Sequence, residues 1–185
     1  MRLLLILSVL LSGTMSFAGS SAHVDSLGVT PLMKASALGQ KKLVSQLLKN
    51  SKLKIDEKDK EDQTALFYAM DNEQEEIALQ LIDRGADLSL TFNEIEESYL
   101  ALAIRYNLSK VVEKIATKKP ELINDADELG FTPLMRSVRS SPKATIEFLL
   151  KNGAKKDLKN SEGQTALDIA HKAQNQEAIT LLSTK

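Results

Sequence analysis

Thr30-Pro31-Leu32-Met33-Lys34-Ala35 decides how this chain is read, because it comes back. It returns as Thr64-Ala65-Leu66-Phe67-Tyr68-Ala69, then as Ser98-Tyr99-Leu100-Ala101-Leu102-Ala103. Two more copies follow, Thr132-Pro133-Leu134-Met135-Arg136-Ser137 and Thr165-Ala166-Leu167-Asp168-Ile169-Ala170. The steps are 34, 34, 34 and 33 residues, and a branched apolar residue trails each copy in register: Leu47, Leu81, Ile115, Leu149 and Leu182. A fixed period of this length marks stacked small units, each unable to bury its own apolar face.

The residues of the unit explain its shape. Thr or Ser followed by Pro or Ala is a helix start: the hydroxyl accepts from an unpaired backbone N–H, and Pro suits the first turn. The Leu and the small residue three positions on share a narrow face, so a neighbouring helix can come close. A second helix carries apolar pairs such as Ile77/Ala78 with Leu81/Ile82 and Val111/Val112 with Ile115/Ala116, which form one buried stripe. Gly85 and Gly153 stand where a left-handed residue would end that second helix. Gly28, Gly130 and Gly163 fit turn positions with positive φ before the next first helix.

This unit resembles the ankyrin repeat, a β-turn finger followed by two antiparallel helices. The resemblance implies an all-α repeat solenoid of five repeats, helix-turn-helix pairs with β-turn fingers, over residues 27–185. Repeat three departs from the pattern, with Ser98-Tyr99 for Thr-Pro and Lys119-Pro120 where Gly-Ala would stand. Polar Gln174, Asn175, Gln176, Glu177 and Thr180 on the last pair suit a solvent-facing cap.

Ahead of the array stands a different signal. Met1-Arg2 precedes the apolar run Leu3–Leu11, and Ser16-Phe17-Ala18 offers small residues for cleavage. This pattern predicts a secretory signal peptide over 1–18, cut near Ala18 with Ala22 as a second candidate, and a short lead-in over 19–26. The run is too short to span about 30 Å of hydrocarbon. The expected address is the periplasm.

Composition narrows the chemistry. Lys+Arg 24 against Asp+Glu 25 lacks the basic excess of nucleic-acid binders. The absence of cysteine removes thiol catalysis, disulfides and thiolate metal sites. Only His23 and His171 remain for a metal, and neither has an evident partner; His171 is expected to be a partly buried residue at the end of the stack. Acidic pairs such as Asp59 with Asp62 and Glu96 with Glu97 fall in fingers and are expected to be solvated. No phosphate loop or dinucleotide motif occurs. The reading is of a protein that is no enzyme and has no cofactor or metal.

Function in repeat arrays usually lies on the concave face. The ankyrin resemblance points the fingers and the exposed side of each first helix that way. On those positions Tyr68, Asp71, Arg105, Tyr106, Leu129, Phe131, Arg136 and Arg139 are the candidate protein-contacting residues, since Tyr and Arg are enriched among interface anchors. Phe131 stands out as an aromatic at a finger tip, with the alternative that it tucks against the next finger. Charge runs unevenly too: the middle fingers are acid-rich and the last carries Lys155, Lys156 and Lys159.

The chain is thus similar to small exported bacterial ankyrin proteins, including the self-protection or immunity type of predatory bacteria. The resemblance implies a monomer that binds a secreted peptidoglycan hydrolase (an endopeptidase) or a toxin and occludes its active site, with no nucleic acid and no membrane span. The alternative is a periplasmic scaffold or chaperone supporting an oxidative-stress enzyme such as catalase.

Overall fold

The computed structural model describes residues 24–93 and 95–184. The signal-peptide and cleavage-site expectations, and His23, lie outside the described residues. Among those residues ten α-helices form five pairs: α1 (Pro31–Ala37) with α2 (Lys41–Leu47), α3 (Ala65–Asp71) with α4 (Glu75–Asp83), α5 (Tyr99–Arg105) with α6 (Ser109–Lys118), α7 (Pro133–Ser140) with α8 (Lys143–Lys151), and α9 (Ala166–Lys172) with α10 (Gln176–Ser183). The solenoid expected from the period is therefore present.

Each first helix begins as its sequence dictates. The hydroxyls of Thr30, Thr64, Ser98, Thr132 and Thr165 accept from the backbone N–H three residues on, at 3.2–3.3 Å. Repeat three keeps this cap despite its altered spelling. The two helices of a pair are joined by tight turns through a left-handed residue, Gly39, Glu73, Asn107 or Gln174, with φ from 54° to 69°. Repeat four uses Ser141-Pro142 in that place.

Packing follows the two stripes. Leu32, Leu66, Leu100 and Leu134 of the first helices are buried, as are Val44, Ile77, Leu81, Val111, Ile115, Ile146, Leu149 and Leu182 of the second. First helices pack on first helices and second on second along the array. Stability is therefore shared between neighbours and does not reside within any one pair. Repeats two and three are further joined by an aromatic cluster: Phe92 lies 5.0 Å from Phe67 and 5.3 Å from Tyr99 between ring centroids. The Tyr99 hydroxyl meets Thr64 Oγ1 at 2.7 Å, so the buried phenol has its partner.

The fingers stack edge to edge. The N–H groups of Lys60, Glu128 and Ser161 donate to the carbonyls of Leu27, Ile95 and Leu129 in the preceding fingers, each at 3.0 Å. This approach explains Gly130, at φ 76°: a Cβ there would come within 2.9 Å of the Asn160 Cα. The third finger closes as a small antiparallel ladder, β1 (Thr91–Phe92) against β2 (Glu97–Ser98), a minor addition to an otherwise helical array. Where Lys119-Pro120 replaces the usual Gly-Ala, a 3-10 turn Pro120–Asn124 carries the chain on, burying Leu122 and Ile123.

The far end of the array differs in detail from the sequence reading. His171, expected to be partly buried, is exposed on α9. Asn175, expected to face solvent, caps α10 through its side chain and donates to the Val138 carbonyl at 2.9 Å.

Candidate protein-binding face

Five residues organise the fingers: Asp25, Asp59, Asn93, Asp127 and Asn160, each five positions before the capping Thr or Ser. In every finger one side-chain oxygen accepts the backbone N–H groups two and four residues on, at 2.8–3.4 Å. This is the local turn that Asp and Asn side chains favour. Asp59 was expected to be a solvated charge; it is buried, and its second oxygen accepts the Tyr68 hydroxyl at 2.7 Å. The sequence did carry the signal, an Asp or Asn recurring in phase with the Thr.

The first helix answers the three aspartate anchors from four residues past the cap; at Asn93 and Asn160 that position holds the apolar Leu102 and Ile169. Lys34 pairs with Asp25 at 2.8 Å, Tyr68 donates to Asp59, and Arg136 donates to Asp127. Burial works against the ionised form of Asp25, but the Lys34 ammonium and the two amides outweigh it and hold the carboxyl below the usual range. Burial and then the neighbouring Asp59 push the Tyr68 phenol well above its ordinary value.

Glu97 is the second correction. Expected on a wet finger, it is fully buried. One oxygen takes Arg105 at 3.0 Å and the Asn93 amide at 3.1 Å, and the other lies 3.9 Å from Arg136. Arg105, Glu97, Arg136 and Asp127 thus form a continuous charge chain across repeats three and four. A buried carboxylate with two guanidinium partners is tolerable where a lone one is not.

The candidate residues fall into two groups that this chain connects. In the first, the Tyr106 hydroxyl donates to Asp71 and Arg105 lies over the Tyr106 ring at 5.3 Å. Burial and then Asp71 push the Tyr106 phenol up to about 12. Glu73, Glu75, Arg105, Tyr106, Asn107 and Leu108 line an open groove of about 510 Å³ beside this group. In the second, Arg136 lies over the Phe131 ring at 5.6 Å, and Phe131 is half-buried against the core. Phe131 is thus partly packed against the core and beside Arg136 of its own repeat. Val29, at the equivalent finger position, is buried as well. What the face leaves open is Leu129, at 45% exposure, with Arg139 and half-exposed Arg105.

Among the described residues no three His, Asp or Glu converge as metal ligands, and no helix is long and apolar enough to cross a membrane.

Stacked helix pairs with fingers anchored by Asp or Asn define the class, and the comparisons agree with it: the chain belongs to the ankyrin-repeat family, which it matches over residues 5–91 and 96–185. Among solved structures it is similar to a chain in the complex of the Bd0816 predatory endopeptidase from Bdellovibrio bacteriovorus with immunity protein Bd3460. Identity there is 37% and the TM-score 0.80, covering 88% of this chain and 84% of that one. Curated relatives include an ankyrin repeat domain-containing protein, SAT10, of Stachybotrys chartarum, 28% identical over 82% of this chain. Phosphocholine transferase AnkX of Legionella pneumophila is 28% identical over 77% of it. This chain spans only 8% of the first and 18% of the second.

Proposed function

We propose that the chain is an exported immunity protein that binds a secreted peptidoglycan endopeptidase and blocks its active site, sparing the cell that makes it. The observation that carries this reading is the 37% identity and TM-score of 0.80 to a chain from an endopeptidase–immunity protein complex, over most of both chains. The site chemistry supports it. The face offers exposed Arg105 and Arg139 as anchors, with Leu129 beside them, on a scaffold of packed helices, the kind of surface that gains affinity from being pre-formed. Its phenols Tyr68 and Tyr106 are engaged with Asp59 and Asp71, which suits a surface made for grip. Occlusion without turnover follows, in the periplasm, after removal of residues 1–18. The contacting residues are Tyr68, Asp71, Arg105, Tyr106, Leu129, Phe131, Arg136 and Arg139, with the outward edges of Arg105, Leu129 and Arg139 as the primary contacts.

The test is an endopeptidase assay on purified peptidoglycan, using the secreted endopeptidases encoded in the same genome. One of them should lose activity in proportion to added protein and reach a plateau at one-to-one stoichiometry. If none is bound or inhibited, and a deletion strain shows peroxide sensitivity in place of wall damage, support of an enzyme such as catalase replaces this reading.

A further inference from the structure

The first helices carry a charge step along the array. Seven positions after the capping residue stand Asp71 in repeat two, then Arg105, Arg139 and Lys172 in repeats three, four and five. Because α5 packs on α7 and α7 on α9, these three cations lie on the same turn of successive helices. With neighbouring helices about 8–10 Å apart, the row runs for roughly 20 Å.

The three differ in how they are held. Arg105 is pinned from below by buried Glu97 at 3.0 Å and flanked by the Tyr106 ring, so it loses little side-chain freedom when it meets a ligand. Arg139 and Lys172 are exposed, and among the described residues neither has an ion-pair partner within 4 Å. The four other candidates with polar heads, Tyr68, Asp71, Tyr106 and Arg136, all spend them on neighbours within the chain. On the repeat-two side the row gives way to Asp71, Glu73 and Glu75, so its sign reverses at a defined place.

We propose that Arg105, Arg139 and Lys172 form the seat for a carboxylate-rich patch on the protein partner, with the acidic end at repeat two setting the partner's orientation. This deepens the immunity reading and rests on it for the identity of the partner, but the row itself can be tested without that partner. Charge complementarity of this kind acts mainly on encounter rate and register.

Two measurements separate the questions. First, hexaglutamate is titrated into the isotopically labelled protein at low salt and followed by amide chemical shifts. Shifts should gather at the C-terminal turns of α5, α7 and α9 and disappear in the double variant Arg139→Glu/Lys172→Glu, while hexalysine moves none of the amides on α7 and α9. Shifts scattered over other lysine-bearing surfaces, or unchanged in the variant, overturn the row. Second, association with the inhibited endopeptidase is timed. The double variant should associate at least tenfold more slowly at low salt, with a flatter salt dependence, whereas Lys42→Glu/Lys49→Glu on the outer face should not. Equal rates for the double variant and the wild type overturn the proposal. A row mapped by hexaglutamate in a protein that inhibits no endopeptidase leaves the seat standing and removes the immunity reading alone.

Discussion

Repeats two and four solve the same problem with different chemistry. Each has a finger anchored by an Asp, and each Asp is answered from the same turn of the first helix. In repeat two the answer is the neutral phenol of Tyr68 on Asp59. In repeat four it is the guanidinium of Arg136 on Asp127, shared with Glu97 from the neighbouring repeat. A hydroxyl satisfies one acceptor and stays within its own unit. A guanidinium has five donors and can bridge two units. The difference teaches that the fold requires only a donor at this position; the ionic version adds a tie across repeats at the risk of stranding buried charge.

The sharpest way to break the comparison is to remove both answers. Arg136→Leu leaves the Asp127 carboxylate buried with no cation, while Glu97 keeps Arg105 and loses only its second guanidinium. Urea denaturation should show a loss of about 3–5 kcal/mol, the usual cost of orphaning a buried ion. Tyr68→Phe removes a single hydrogen bond and should cost about 1 kcal/mol. Similar losses for the two would mean that the charge chain is held by solvent and not by burial.

Next in size is the anchor itself. Asp59→Ala strands the Glu61 and Gln63 amides and the Tyr68 hydroxyl, and should cost about 1–3 kcal/mol by the same urea measurement. Asp59→Asn should cost much less, since Asn93 and Asn160 do the same work in their fingers. Equal losses for Ala and Asn would show that the fingers are held by their stacking alone.

A pH series sharpens the neutral side. Tyr68, Tyr99 and Tyr106 all have phenols raised above their unfolded value near pH 10, chiefly by burial. The folded protein then holds protons that the unfolded chain has released. Their contribution is complete below about pH 10 and is lost as pH climbs toward the folded values. The urea midpoint should fall above pH 10, and less steeply in Tyr68→Phe. An unchanged slope would remove Tyr68 from the linkage.

The smallest effect concerns the helix-to-helix turns. Gln174 holds φ 54° where repeat one has Gly39 at 69°. Gln174→Gly should raise stability by up to about 1 kcal/mol, since a side chain in the left-handed region is strained and glycine is not. A loss would mean that the cost of glycine's freedom in the unfolded chain outweighs the relief.

The register, the capped first helices and the buried second-helix stripe were legible because each follows from residues close in sequence. Leu81 and Leu149 could be assigned to the core from spacing alone, and both are buried. The site was less legible. Glu97 and Asp59 read as wet charges because their partners lie on other elements: Arg105 and Arg136 for one, Tyr68 for the other. Phe131 read as exposed from its finger-tip position, since only the folded finger brings its ring against the core and under the Arg136 guanidinium.

By itself, then, the sequence determined the repeat, the count of five and the place of every first-helix cap, because a helix start and an apolar stripe are local and repetition multiplies weak local preferences. Only the tertiary structure decided which polar residues are consumed inside the array and which are left to bind. That choice depends on distances between neighbouring repeats, about 34 residues apart in the chain and one helix-width apart in space. A charge is free or spent according to what stacks beside it, and the stack exists only once the chain has folded.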